Sequence, residues 1–360
     1  MHAKDEWSLN LIADLSNANG ASGFEDEVLA VARRKAADFG EIGEDSLRNL
    51  YIERKSSKGD APVVMLDAHS DEVSFMVHAI KPNGTLQFIQ LGRWVEAGLI
   101  AQRVRVRNAE GAYVPGVIAS KPPHFMTEEE KRSAVPASAM AIDIGASSRE
   151  EAIRDFGIRI GQPVVPDVRF EYDEKRDLMI GKAFDNRLGC AAVIETMREL
   201  ASTSLPITLV GALASQEEVG TRGATVTANR VRPDIAIVFE GSPADDTFSE
   251  PYLIQCAVKK GPMLRHIDAR MITNPRFQRF ALDLAAELGI PVQESVRTGG
   301  STNGAPIHLS GLGVPAIVIG LPTRYIHTPH GIASLSDFRN AVALGRAVVE
   351  RIDRTLIEAL

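Results

Sequence analysis

Only two cysteines occur in 360 residues, Cys190 and Cys256, both in apolar segments far apart and without CxxC spacing. That scarcity favours buried free thiols over a disulfide and fits a reducing compartment, the cytoplasm. No run approaches the roughly 18 apolar residues of a membrane span, and the opening MHAKDEWSLN lacks an apolar h-region, so neither insertion nor export is expected. Positive charge is also lacking in any organised form. The net charge is -7 and Lys and Arg are scattered, which leaves no stripe for a phosphate backbone and argues against nucleic acid as a partner. No internal repeat or low-complexity tract is present. No GxGxxG follows a strand, GxxxxGK[ST] is missing and no GxSxG elbow occurs, which excludes a dinucleotide fold, a P-loop and a serine-hydrolase elbow.

What is present is the composition of an ordinary folded protein, 44% hydrophobic and 24% charged. The length exceeds what one growing core fills, so a large domain plus a smaller one is expected. Two helical patterns cover about residues 5 to 38, the second opening with Ser22, Gly23, Phe24, Glu25, a capping-box pattern. The unbroken apolar run from Pro62 to Ala68 predicts a strand buried on both faces of a mixed or parallel sheet, with His69 at its carboxyl end. From about Phe75 to Pro166 the texture changes to short alternating stretches separated by Asn-Gly and Glu-Gly turns, a β-rich module. Within it, KPPHFMTEEEKR (121–132) shows neither periodicity and reads as an exposed loop reaching a neighbour.

The α/β alternation resumes near Asp167, with a helix from Arg187 to Ala201, strands at 207–214 and 234–240, a helix at 275–288, a strand at 315–320 and a closing helix from Ser336. The expected architecture is a three-layer α/β/α domain, residues 1–71 and 167–360, split around an insertion at 72–166.

Metal-ligand residue types stand at the ends of the apolar runs: His69, Asp185, Glu218, Glu240 and His327. Strand carboxyl ends border the crevice of an open α/β sheet, and two imidazoles with three carboxylates can hold a pair of divalent ions for metal-assisted hydrolysis. Each residue has a plainer reading when met alone. His69 and Asp71 could be a surface pair, or a ligand with the carboxylate that fixes its tautomer. Asp185 could cap a helix or bridge two cations. Glu217 and Glu218 could be a solvated loop pair, or a base beside a ligand, since adjacent carboxylates in apolar surroundings repel unless a cation or proton relieves them. Glu240 could be a bare strand end and His327 a loop histidine. His2 reads as terminal, His78 and His308 as packing or capping, and His124 and His330 as loop residues. The run Gly299, Gly300, Ser301, Thr302, Asn303, Gly304 is a loop that lets backbone N–H groups approach a ligand.

The segments ASGFEDEV, DAHSDEVSFMV, GVIASKPPH, AIDIGASSREEA, GKAFDNRLG, SQEEVGTRGA and GVPAIVIGLPTRYIHTP occur in this order along almost the whole chain. In them the sequence resembles the tetrahedral (TET-type) metallo-aminopeptidases, the glutamyl and deblocking aminopeptidase family whose members are sometimes labelled endoglucanase M. The resemblance implies that His69, Asp185 and Glu240 hold one metal and Asp185, Glu218 and His327 the other, zinc or cobalt, with Asp185 bridging. It implies Glu217 as catalytic base, Asp71 as the orienter of His69, and hydrolysis of the first peptide bond of short peptides. It also implies that the insertion is a β-barrel-like dimerisation domain, with dimers building a hollow dodecamer.

Three positions depart from the family pattern. Glu240 stands where Asp is frequent, Asn303 replaces the acidic residue of a GGTDA-like loop, and Thr-Pro-His-Gly follows His327 where a Glu is often near. Three other functions are open to the same residues. One is removal of acyl groups from amino acids on a two-metal scaffold. Another is glycoside hydrolysis by Glu217 and Glu218, which adjacent residues serve poorly because the carboxyls must flank the bond at roughly 5–9.5 Å. The last is binding without turnover.

Overall fold

In the computed structural model, which describes residues 3–54 and 60–360, the chain is built on an eight-stranded mixed sheet. His2 lies outside the described residues. The strands lie in the order Gly40–Glu44, Leu50–Arg54, Thr208–Ala214, Val63–His69, Ile235–Pro243, Ala316–Thr323, Met263–Ile267, Gln293–Val296. The four in the middle, from Thr208–Ala214 to Ala316–Thr323, are mutually parallel. Their carboxyl ends therefore lie along one edge. Apolar residues on both faces of these strands are shielded from water: Leu66, Leu209, Ile237 and Ile319 pack toward the helices Ala3–Asn17, Asp26–Ala36, Phe184–Glu199, Pro275–Leu288 and Leu335–Arg351. Met65, Ala212, Val238 and Val318 face Arg222–Val231 and Gly304–His308. This is the expected three-layer arrangement. Burying each such Leu, Ile, Val or Met side chain favours folding by about 1.5–3 kcal/mol.

The β-rich module is a closed barrel of the strands Ser74–Ile80, Leu86–Leu91, Ala141–Asp143, Tyr113–Ala119, Arg103–Arg107 and Pro163–Pro166, inserted after His69. Closure leaves no free sheet edge. It has its own core, in which Phe75 stacks on Trp94 with centroids 4.6 Å apart and meets Phe88 edge-on at 5.1 Å. The Asn83-Gly84 turn requires glycine, since Gly84 has φ +87° and a Cβ there would lie 2.6 Å from the Ala146 carbonyl oxygen.

Several expectations are corrected. The capping box at Ser22 and Glu25 is absent: the helix starts at Asp26, Glu25 makes no side-chain cap, and both side chains turn inward to the site described below. The capping box is instead at Thr127 and Glu130, opening a short exposed helix, Glu128–Arg132, inside the segment read as a loop. The helix read as Arg187–Ala201 runs from Phe184 to Glu199, with a kink at Asp185 and Asn186. His78 is exposed and does not pack, whereas His308 caps locally, its Nδ1 2.9 Å from the Gly304 carbonyl. Both cysteines are buried free thiols. No described helix is long and apolar enough to cross a membrane.

Candidate metal centre

The four parallel strands deliver their polar residues to the same edge. His69 closes its strand; Glu240 sits within Ile235–Pro243; Glu217 and Glu218 follow Thr208–Ala214; His327 follows Ala316–Thr323. Asp185 comes from the opposite direction, at the kinked start of the helix packed behind them. It does not cap that helix. Asn186 does that work, its Oδ1 accepting the Gly189 N–H at 3.1 Å and the Gly241 N–H at 2.9 Å.

The two oxygens of Asp185 face different imidazoles. Oδ1 lies 3.0 Å from His69 Nε2 and Oδ2 lies 3.4 Å from His327 Nε2. On the first side Glu240 Oε1 is 3.6 Å from His69 Nε2; on the second, Glu218 Oε2 is 3.7 Å from His327 Nε2. These are two groups, His69–Asp185–Glu240 and Asp185–Glu218–His327, each with ligand atoms within 4.8 Å of one another. Glu217 Oε2 stands at the rim, 4.0 Å from His69 Nε2.

Asp71 is the anchor behind them. Its carboxylate accepts the N–H groups of Glu217 (2.9 Å) and Glu218 (3.2 Å) and the Ser22 hydroxyl (2.6 Å), and stands 3.3 Å from His69 Nδ1. One buried side chain thus sets both an imidazole and the loop carrying two carboxylates. Glu25 adds a second hold on that loop by accepting the Gln216 N–H at 3.2 Å. Loops around the site also carry strained backbone: Ala183, Gln216, Tyr325 and His327 all have positive φ without being glycine, a conformation tolerated where surroundings fix it and concentrated at functional sites.

Electrostatics show what the cluster demands. Asp185, Glu217, Glu218 and Glu240 make no ion pair with Lys or Arg among the described residues, and Glu218 Oε1 is buried without a hydrogen-bond partner. Burial pushes Glu217 and Glu218 well above the usual carboxylate range and raises Glu240. Burial would lower His69, but Glu240, Asp185 and Asp71 outweigh it and raise the imidazole well above its ordinary value. Burial likewise opposes ionisation of Asp185, yet the bonds from His327 and His69 hold it down. A divalent cation would offset the burial and the repulsion that raise these carboxylate proton affinities, and the nitrogen and oxygen donors suit such an ion.

A buried ionic network fixes the turn beneath the centre, and no sequence motif assigned it a role. Arg187, fully buried, donates to the carbonyls of Leu15, Ala18, Gly20 and Ser70 and to Glu72, while Lys182 Nζ lies 2.6 Å from Glu72 Oε1. Its signal was two cations, Lys182 and Arg187, flanking the Asp185 ligand position within the short segment GKAFDNRLG. Of the departures, Asn303 donates Nδ2 to buried Asp67 at 2.7 Å. His330 is exposed and His124 lies on an exposed single turn. Gly299, Gly300 and Ser301 line a cleft of about 760 Å³ that opens onto Asp185, Glu217 and His327.

A model of the M42 glutamyl aminopeptidase family matches residues 49–344. The chain is 33% identical over 340 residues to the glutamyl aminopeptidase of Lactococcus lactis subsp. cremoris, covering 94% of this chain and 95% of that one. A TET aminopeptidase from a marine sediment archaeon of the Thaumarchaeota superposes with a TM-score of 0.94 at 38% identity, over 98% of this chain and 99% of that one. PhTET1-12s, solved with a dodecamer in the asymmetric unit, superposes with a TM-score of 0.85 at 26% identity, over 96% and 99%.

Proposed function

Because the chain belongs to the M42 glutamyl aminopeptidase family and is an aminopeptidase, we propose that it removes N-terminal residues from short peptides at a dinuclear centre held by His69, Asp185, Glu218, Glu240 and His327. The observation that carries this is the placement of the two Asp185 oxygens toward two separate imidazoles, each with a further carboxylate beside it. When bound, two divalent cations, zinc or cobalt, would polarise the scissile carbonyl and acidify the attacking water.

The residues of the chain do the rest. Glu217, at the rim of the centre and with its proton affinity raised, takes the proton of the attacking water and passes it to the leaving amine, the work of a general base and then acid. Asp71 orients His69 from behind and keeps Glu217 in reach by holding its backbone N–H. The surplus of carboxylates at this end of the cleft gives the substrate's α-ammonium a place beside the reacting bond. The barrel within 72–166 is assigned to dimerisation and the assembly to a dodecamer, in line with the dodecamer of PhTET1-12s.

The test is Glu217→Gln. The amide keeps the shape but cannot accept the proton, so metal content by mass spectrometry should stay at the wild-type value while kcat on aminoacyl anilides falls about 10²–10⁴-fold. Activity persisting at the wild-type level would remove Glu217 from the role.

A further inference from the structure

Four of the five proposed metal ligands are anchored by the large domain itself. His69 and Glu240 lie within strands, Asp185 lies at a helix start, and Glu218 sits on the loop whose N–H groups Asp71 holds. His327 differs. Its strand ends at Thr323, and the imidazole is carried beyond it on left-handed backbone, with φ +61° at Tyr325 and +60° at His327. A non-glycine residue keeps that conformation only where its surroundings impose it.

The hold comes from the inserted barrel. Segment 92–95, which follows the barrel strand Leu86–Leu91, reaches the metal centre, and the Val95 N–H donates to the His327 carbonyl at 3.2 Å. The same segment meets Glu218. A Cβ on Gly92 would lie 3.1 Å from Glu218 Oε2 and 3.3 Å from Glu218 Cβ, and Gly92 has φ +83°, so glycine is what lets this backbone and that carboxylate touch. Between the two contacts, Trp94 is set in the barrel core, stacked on Phe75 at 4.6 Å and donating Nε1 to the Ser74 carbonyl at 3.1 Å. Glu96, next along, accepts from Gln90 Nε2 at 2.6 Å and from the Ala137 N–H at 3.0 Å. The segment is thus fixed to the barrel on both sides of Val95.

Both contacts fall on one metal group. Glu218 and His327 are the two members of Asp185–Glu218–His327 that the other group does not share. The ligands private to that other group are held from the large domain, His69 by Asp71 at 3.3 Å and Glu240 by Asn186 Nδ2 at 3.2 Å. We infer that Gly92 and Val95 are positioning residues for the cation held by Asp185, Glu218 and His327, so that the barrel completes one half of the metal centre in its own chain. The inference rests on the dinuclear reading above and adds a division of labour to it: the large domain builds one metal site alone and the second only with the barrel. Breaking the contact should cost one cation, not two.

Val95→Pro deletes the N–H and little else. Val95 has φ −77°, within the range a proline ring imposes. Its side chain is half-exposed, and its carbonyl, which accepts the Gly98 N–H at 2.9 Å, is kept. Val95→Ala is the conservative counterpart, which removes the side chain and keeps the N–H. The full-length proteins are stripped of metal, titrated with zinc by calorimetry and, loaded with cobalt, compared by visible absorption. Wild type and Val95→Ala should bind two cations per chain. Val95→Pro should bind one with wild-type affinity and the second at least tenfold more weakly, with loss of one cobalt band set. Val95→Pro holding both cations as the wild type does, weakening both alike, or being matched by Val95→Ala would overturn the inference. If Val95→Pro fails to fold, Gly92→Ala, whose methyl would press on Glu218, carries the same expectation and the same refutation. Crystal structures of metal-free wild type and Val95→Pro give a readout that needs no metal: His327 Nε2 should leave its place 3.4 Å from Asp185 Oδ2, and an unmoved imidazole would refute the role. A wild type that binds a single cation would sink the dinuclear reading, and the displacement of His327 would still decide the positioning one.

Discussion

Asn303 looks in sequence like a lost acidic residue, and its position gives it another purpose. Asp67 is fully buried beside Glu240, and burial pushes its carboxyl up to about 7 despite the bond from Asn303 Nδ2. A carboxylate in place of Asn303 would set two acids at hydrogen-bond distance in a closed site. Asn303→Asp should therefore cost about 1–3 kcal/mol of stability, the price of a buried group without a proper partner. The sign of its pH dependence follows from folded-state carboxyl pKa values raised above the unfolded ones: the penalty is absent at pH below the unfolded carboxyl range and grows as pH rises through the folded one. Urea unfolding at pH 5 and pH 8 checks this, and an equal loss at both would refute it. The ligand carboxylates and His69 obey the same rule toward metal. Their raised proton affinities predict that loading releases protons and that affinity weakens as pH falls, which calorimetry in buffers of differing ionisation enthalpy would register. At this scale the sequence was informative about ligand types and silent about their supports. A histidine or glutamate at a strand end is visible in one dimension. That Ser22 bonds Asp71, or that Arg187 spans four carbonyls, depends on contacts between segments 49 to 172 residues apart.

Between elements, the centre exists because a helix start and a strand come close enough to touch. Gly241 lies against Asp185: a Cβ there would sit 2.6 Å from the Asp185 Cα and 2.9 Å from the Phe184 carbonyl oxygen. Neither backbone atom can yield without moving Asp185 away from Glu240. Gly241→Ala should accordingly lower stability by about 1–3 kcal/mol through overpacking and reduce bound metal, measured by mass spectrometry. A variant that keeps its full metal content would show that the approach is looser than this. The glycine is unremarkable in VFEGS, and its constraint comes wholly from the facing helix. Elements differed in legibility for similar reasons. The helix Pro275–Leu288 was readable to the residue because Asn274 caps it, proline occupies its first position and Gly289 ends it at φ +66°. Met263–Ile267 and Gln293–Val296 escaped notice: at five and four residues, with Arg265 and Glu294 among them, they lack the apolar run that marks a central strand, and only their neighbours make them strands.

Across the whole molecule, soluble monomers seldom leave large apolar side chains bare in groups, yet Phe248, Tyr252 and Leu253 are 91%, 83% and 53% exposed within a single loop. Leaving such rings in water forgoes about 1.5–3 kcal/mol apiece, a loss that contact with another copy would recover. The proposed dodecamer gives that loop something to meet. Light scattering should find twelve chain masses for the wild-type protein, and Phe248→Asp or Tyr252→Asp should shift the distribution toward smaller species with unchanged far-ultraviolet circular dichroism. None of the three is among the proposed metal ligands, so the dissociated form should still bind metal, which separates an assembly defect from a folding one. A wild-type protein that runs as one chain across micromolar concentrations would overturn the dodecamer while leaving the metal centre untouched.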